Sequence, residues 1–518
     1  MRRLIQSTAL LGIGSAATVV AAILRAKVLA ALLGPQGTGL LAQLSTLTAV
    51  LVPLATLGLG NGVTAMIAAA RARGDAFLAG RVRSTALTLS WMVGLGFALL
   101  AALTSPWLAD ALFHDRTKAW VVLIGAAAVP LSAISSLRVS ILQGYEAVKS
   151  MAKLNAIIAA ATIGTIAPLA WFFGLQGAVA ALVVVAAIYL VVSGRMVAKE
   201  ARRFEDVGEG SEGAVSPVEN LSSPFSREIP PPPTPRPRTR IDRALLRPLL
   251  RYGSSALLVG LSSTLTLLIL RSALVSKLGL APNGIYQVCV GISGLYMPLI
   301  LNSITAIVWP QIAGHARDEE TNVTMREALR LAVLLQTLIA GAMLAGAPLW
   351  IPIFYSGKFL PALDLLPLQF LGDYFRSVAW VCGIWLVPKN RLRPWVLFDL
   401  VYGVAMLVTF WLLVDRVGLR SIVIAYVVAH ISHTALHYAL ARKTLGFHLG
   451  PDNRRLLLAS LALFAGFVAF MPRTLPGAGL GILALAAWAA LVVRPSEWLA
   501  VWRKVRVTIV PPPSADAN

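Results

Sequence analysis

The sequence predicts an all-α polytopic membrane protein of about 14 spans, on three observations. The chain of 518 residues is 57% hydrophobic and 13% charged, with a mean hydropathy of +0.76. A soluble protein of that length needs far more charge to cover its surface. Apolar runs of roughly 18 residues or more recur from end to end, and a bilayer asks for about 20 per helix. The basic residues, finally, cluster in alternate loops.

The spans fall near 5–33, 39–70, 84–109, 119–142, 152–173, 175–197, 246–276, 282–313, 327–355, 362–387, 394–414, 419–441, 454–471 and 475–493. The first run is long and poor in a small-residue exit, so it reads as a span and not as a cleaved leader. Cys289 and Cys382 both lie inside apolar runs, which predicts neither a disulfide nor a metal site.

The formal charge of +22 reports topology. With the N-terminal "MRR" in the cytoplasm, the inner loops hold Arg71, Arg73, Arg81, Arg83, Lys149, Lys153, Lys389, Arg391, Arg393, Arg442, Lys443, Arg454 and Arg455. The outer loops hold little beyond Arg116, Lys118, Lys277, Lys358, Arg416, Arg420 and Arg473. This positive-inside pattern places both termini in the cytoplasm and makes a nucleic-acid partner unnecessary.

Between Lys199 and Asp242 the chain turns polar and contains "REIPPPPTPRPRTR". Four consecutive prolines and dense charge cannot build a core, so 199–242 reads as a disordered cytoplasmic linker. The expected organisation is an N-terminal six-helix bundle at 1–198, the linker, a C-terminal six-helix bundle at 243–445, and two further helices with a cytoplasmic tail at 446–518.

The two bundles echo one another. A shift of 244 to 246 residues lays Arg25 on Arg271, Gly39 on Gly284, Gln43 on Gln287, Pro53 on Pro298 and Arg73 on Arg317. Six spans is an even number, so the repeats share an orientation and an axis along the membrane normal, as in transporters with a central cavity.

Charges inside the spans are the first functional candidates, because each is costly in hydrocarbon. Arg25 and Lys27 are two apart, roughly 200° around a helix, and cannot share a face. Arg25, echoed at Arg271, is the expected cavity cation, with snorkelling to the headgroups as the competing reading. Lys27 has no echo and is expected to snorkel or pair. Arg138, near the inner end of its span, suits either role. Asp373 and Arg376 are three apart and can pair; a carboxylate whose proton or cation occupancy changes during transport is the other reading. Asp399 is a second candidate for ion coupling, or a helix-end charge. His430, His433 and His437 form one stripe, expected as a polar packing seam more than as a proton relay or metal site. Asn61, Thr64, Asn302, Thr305, Gln43 and Gln287 add neutral groups suited to sugars or to interhelical packing.

No catalytic set emerges, and no glycine-rich phosphate loop followed by Lys-Ser/Thr occurs, so neither enzyme chemistry nor a cofactor is expected. A membrane glycosyltransferase or polymerase would need acidic residues in a sizeable outer loop, and the outer loops are short.

The stretch "KVLAALLGPQGTGLLAQLSTLTAVLVPLATLGLGNGVTAMIAAARARGD" resembles the opening of the polysaccharide transport branch of the MOP exporter superfamily. It is most similar to Wzx-type flippases for O-antigen and enterobacterial common antigen. "LLPLQFLGDYFRSVAWVCGIWLVPKNR", with its Gly372-Asp373 pair, resembles the same family's tenth span. The resemblance implies an inverted-V, two-bundle transporter in the bacterial cytoplasmic (inner) membrane. It would flip undecaprenyl-diphosphate-linked oligosaccharide, part of lipopolysaccharide-type glycan assembly, by ion-gradient-driven alternating access. Arg25, Arg271 and Arg138 would then meet the diphosphate, and Asp373 and Asp399 would serve coupling. Implied partners are the lipid-linked oligosaccharide and glycan assembly proteins (polymerase, glycosyltransferases). A lipid II flippase or a cation-coupled drug antiporter of the same superfamily is the alternative.

Overall fold

The computed structural model describes residues 2–209, 241–470 and 474–493, and apart from two 3-10 turns every element in them is an α-helix. The linker residues 210–240 and the tail from 494 lie outside the described residues.

α1 (Arg2–Ala55) is two apolar segments joined at Gly34, whose φ of 62° no L side chain favours and which Pro35 follows to start the second segment. A turn at Thr56–Leu59 then breaks the expected second span, and α2 (Gly60–Ala72) completes it. α3 (Ala76–Leu103) is N-capped by Asp75, whose carboxylate accepts from the Leu78 amide at 2.7 Å. α4 (Ser105–Phe113) opens at Pro106, and α5 (Ala119–Gly144) follows. α6 (Val148–Glu209) carries two spans joined at Gly174, φ 56°. It continues as helix to Glu209, so the first residues of the expected linker are helical.

α7 (Arg243–Leu278), capped by Asp242, and α8 (Leu280–Gly314) meet at Gly279, φ 91°. α9 (Asp318–Phe354) begins Asp-Glu-Glu, three acids at the positive end of the helix dipole. α10 (Leu366–Gly383), α11 (Leu392–Val417), α12 (Arg420–Leu445), α13 (Gly450–Ala469) and α14 (Leu475–Val492) complete the order. Among the described residues nine helices are long and apolar enough to cross a membrane. Two of these, α1 and α6, hold two expected spans each, and α10, α13 and α14 occupy the other three.

The glycine turns repeat. Gly34 and Gly279 are 245 residues apart, Gly174 and Gly418 are 244 apart, and all four have positive φ. The shift that aligns the sequence halves therefore aligns their turns.

The chain forms two compact units: Met1–Val288 with Pro352–Phe359 and Phe410–Ile422, and Cys289–Ile351 with Leu360–Thr409 and Val423–Asn518. This division by contacts differs from the linker boundary expected from composition. α7 belongs to the first unit because Leu245 and Leu249 join the apolar cluster of Val63, Ile67, Val82, Leu137 and Ile141. Farther along, Val275 and Leu280 join Leu40, Leu44, Val121 and Val179. In the second unit α10 packs on α13, and α13 on α14.

Candidate functional site

In the first unit the second segment of α1 and the first turns of α8 meet at two glycines. A Cβ on Gly39 would overlap the Leu280 carbonyl and lie 2.8 Å from the Gly284 nitrogen. A Cβ on Gly284 would overlap the Pro35 carbonyl. The repeat-related pair Gly39 and Gly284 thus lets two backbones touch.

Polar groups line that seam. Asn283 Nδ2 donates to the Gly39 carbonyl at 2.8 Å, while its Oδ1 accepts from Arg271 Nη1 at 2.9 Å. Arg271 Nη2 donates to Gln287 Oε1 at 2.5 Å, and the guanidinium carbon stands 5.3 Å from the Tyr286 ring centre. Gln43 Nε2 donates to Ser272 Oγ at 2.7 Å. Arg271 is 1% exposed, and its Nε has no partner. Neutral amide oxygens and a ring face hold this cation, with no carboxylate within ion-pair distance among the described residues.

Arg25, its counterpart in the repeat, is placed differently. It is half-buried on α1 and has neither a hydrogen bond nor an ion pair among the described residues. Lys27 pairs instead: its ammonium donates to the Pro352 carbonyl at 3.0 Å, near the C-terminal end of α9. Arg138 donates to the Leu190 carbonyl of α6, with its guanidinium against Gly194. Thr64 donates to the Ser140 carbonyl at 3.0 Å, and Asn61 is exposed. Of the expected residues in this unit, the fold gathers Arg271, Gln287 and Gln43 at the seam, and no described bond brings Arg25, Arg138, Asn61 or Thr64 to it.

The second unit holds a buried carboxylate. Asp373 on α10 is fully buried. Its Oδ2 accepts from Ser293 Oγ at 2.6 Å and from the Tyr296 hydroxyl at 2.7 Å, and its Oδ1 from the Tyr426 hydroxyl at 2.8 Å. Three hydroxyls satisfy the group that sequence spacing paired with Arg376. That arginine lies within electrostatic reach of both Asp373 and Tyr426 but forms no ion pair with Asp373. Gly372 explains the Gly-Asp motif: a Cβ there would overlap the Tyr426 ring, so the glycine admits the phenol to its neighbour's carboxylate.

From Tyr426 the polar seam runs along α12. The His430 ring lies 4.4 Å from that of Tyr426 and 4.7 Å from that of Tyr402, centre to centre. His433 Nε2 is 3.3 Å from Asp399 Oδ1, and His437 Nδ1 is 3.0 Å from the His433 carbonyl. The stripe packs as the expected seam, and Asp399 is joined to it. Among the described residues no group of three metal-binding side chains occurs. Asn302 on α8 is exposed, while Thr305 accepts from Trp380 Nε1 at 3.2 Å.

Sequence reasoning did not single out Asn283, Ser293, Tyr296 or Tyr426. A signal for Asn283 was present, since a polar residue precedes the repeated glycine in both halves: Thr38 before Gly39, and Asn283 before Gly284. Thr38 is buried too, with an unpartnered hydroxyl. Ser293, Tyr296 and Tyr426 come to Asp373 from α8 and α12, a convergence that no single window of sequence displays.

Kinked apolar helices and glycine turns that repeat define the class, a multi-pass α-helical membrane protein. Solved structures share the fold. A lipid II flippase, MurJ, in an inward closed conformation superposes with a TM-score of 0.67 at 13% identity, covering 97% of this chain and 99% of that one. An inward-facing multidrug resistance MATE family transporter of the MOP superfamily gives 0.62 at 15% identity, over 85% and 98%. A MOP superfamily transporter from Pyrococcus furiosus gives 0.59 at 16%, over 85% and 95%. By sequence the chain is 23% identical to the lipid III flippase of Escherichia coli (strain K12) over 424 residues, 80% of this chain and 92% of that protein. The family described as "Polysaccharide biosynthesis protein" matches residues 4–314, more than half the chain. The chain belongs to that family.

Proposed function

We propose that this protein flips an undecaprenyl-diphosphate-linked oligosaccharide from the inner to the outer leaflet of the bacterial cytoplasmic membrane, with both termini in the cytoplasm. One observation carries the reading: Arg25 is a cation on a membrane-spanning helix with no described protein partner. A guanidinium in that setting is stabilised by an anion brought to it, and a diphosphate matches its planar fork. Family membership and likeness to a lipid III flippase support the same cargo class. The two sequence repeats act as two bundles that expose the cavity alternately to each face, and Asp373 and Asp399 serve coupling to an ion gradient. Arg271, Arg138 and the amides of Asn61, Gln43, Gln287 and Asn302 are the remaining contacts proposed for the cargo, with Thr64.

The test is complementation. Cells depleted of this protein should accumulate the lipid-linked glycan on the cytoplasmic leaflet, and the wild-type chain should clear it while Arg25→Ala does not. Full clearance by Arg25→Ala at normal protein level would remove the anion-site reading.

A further inference from the structure

Arg271 is a buried cation satisfied only in part. Its two terminal nitrogens go to neutral amide oxygens and its Nε to none. Asn283 is the joint of this arrangement, because one end of its amide holds Arg271 and the other holds the Gly39 carbonyl across the glycine seam. The same side chain therefore senses the arginine and ties α1 to α8.

We infer that Asn283 is a positioning residue that couples the occupancy of Arg271 to the α1–α8 seam. An anionic diphosphate is a stronger acceptor for a guanidinium than an amide oxygen. When one engages Arg271, Asn283 Oδ1 loses its donor, the amide is free to rotate, and its bond to Gly39 is no longer held in place. Gly39 and Gly284 have no side chains to interlock, so at this crossing α1 and α8 are held by this bond, by backbone contact and by Leu280 against Leu40 and Leu44. Gln43–Ser272 ties α1 to α7 beside it. Cargo at Arg271 then loosens the α1–α8 seam inside the first unit. This rests on the proposed anionic cargo, and it adds the residue that links cargo to that seam.

Leu280, buried in the seam, reports on it. A Leu280→Cys variant, with Cys289 and Cys382 replaced by Ala, is labelled with a bulky maleimide in lipid nanodiscs. The parent should label slowly, and undecaprenyl diphosphate should speed labelling about two- to tenfold, the factor that a hydrogen bond's net worth corresponds to. Undecaprenol, which lacks phosphate, should not. Asn283→Ala should label fast without lipid and respond no further. Asn283→Asp, which keeps an acceptor for Arg271 but lacks the amide donor to Gly39, should behave like the Ala variant while retaining the parent's melting temperature. Slow labelling of both Asn283 variants, or an unchanged lipid response in them, would overturn the coupling. Lipid binding that depends on Arg25 but leaves the parent's labelling unchanged would overturn it and spare the anion reading. No binding of undecaprenyl diphosphate at all would overturn both.

Discussion

The phenol of Tyr426 reaches Asp373 through space that Gly372 leaves empty. The hydroxyl lies 2.8 Å from Oδ1, and any Cβ at 372 would overlap the ring. A glycine in one helix thus sets the hydrogen bonding of the carboxylate beside it. Gly383 does the same for the His437 ring, so α10 takes two rings of α12 into glycine notches.

Gly372→Ala should therefore displace Tyr426 and cost about 1–3 kcal/mol, the range for overpacking a filled site. The melting temperature in detergent should fall, and export should fall with it. Tyr426→Phe keeps the ring and removes only the hydroxyl, so it should cost less while still lowering export. A Gly372→Ala protein with wild-type stability and transport would show that the notch is not filled in the working protein.

Asp373→Asn separates coupling from structure. If the carboxylate exchanges a proton or cation, the variant should lose gradient-driven flipping in proteoliposomes and keep its binding of the lipid-linked glycan. If the group only satisfies its surroundings, the variant should chiefly destabilise, because an amide cannot accept from three hydroxyls as a carboxylate does and Arg376 loses its nearby charge. Export restored in an Asp373→Asn, Arg376→Gln double variant would end the coupling proposal.

Much of this architecture was legible in the sequence because hydrocarbon imposes a simple code. Apolar length gave the spans, while the glycine turns at Gly34 and Gly279 came from the structure, where each takes a positive φ that L side chains rarely adopt. The halves' relation could be read from Gly39 and Gly284, and the backbone contact gives its physical reason. Spacing failed where partners come from other helices. Asp373 and Arg376 are three apart and suggested an ion pair, yet hydroxyls from α8 and α12 fill the carboxylate's lone pairs. Arg25 and Arg271 looked equivalent by repeat, but Asn283 has a counterpart in Thr38, whose short hydroxyl cannot make the same bridge.

Deleting residues 210–235 should leave protein level and export nearly unchanged. Their composition is polar and proline-rich, and α6 ends at Glu209 and α7 begins at Arg243 on either side. Asp242 must stay, since it caps α7 and pairs with Arg81. Loss of export at normal protein level would identify this stretch as a partner-binding segment.

The two arginines should answer to substitution differently. Arg25→Ala removes a cation that no described residue holds, so the fold should keep its stability while cargo binding drops by about 1.5–3 kcal/mol per charge-assisted hydrogen bond lost. Arg271→Ala instead leaves Asn283 Oδ1 and Gln287 Oε1 without their donor in a buried site, and should lower both melting temperature and export. Lysine should rescue only in part at either position, because it restores charge without the fork that spans two acceptors. At Arg271 that shortfall should appear in stability, at Arg25 in transport alone. The measurement is a melting curve and an export assay on four variants, Ala and Lys at each site. Near-complete rescue by Lys with a mild Ala effect at Arg25 is the signature of a side chain snorkelling to headgroups, and it would take the diphosphate away from this residue.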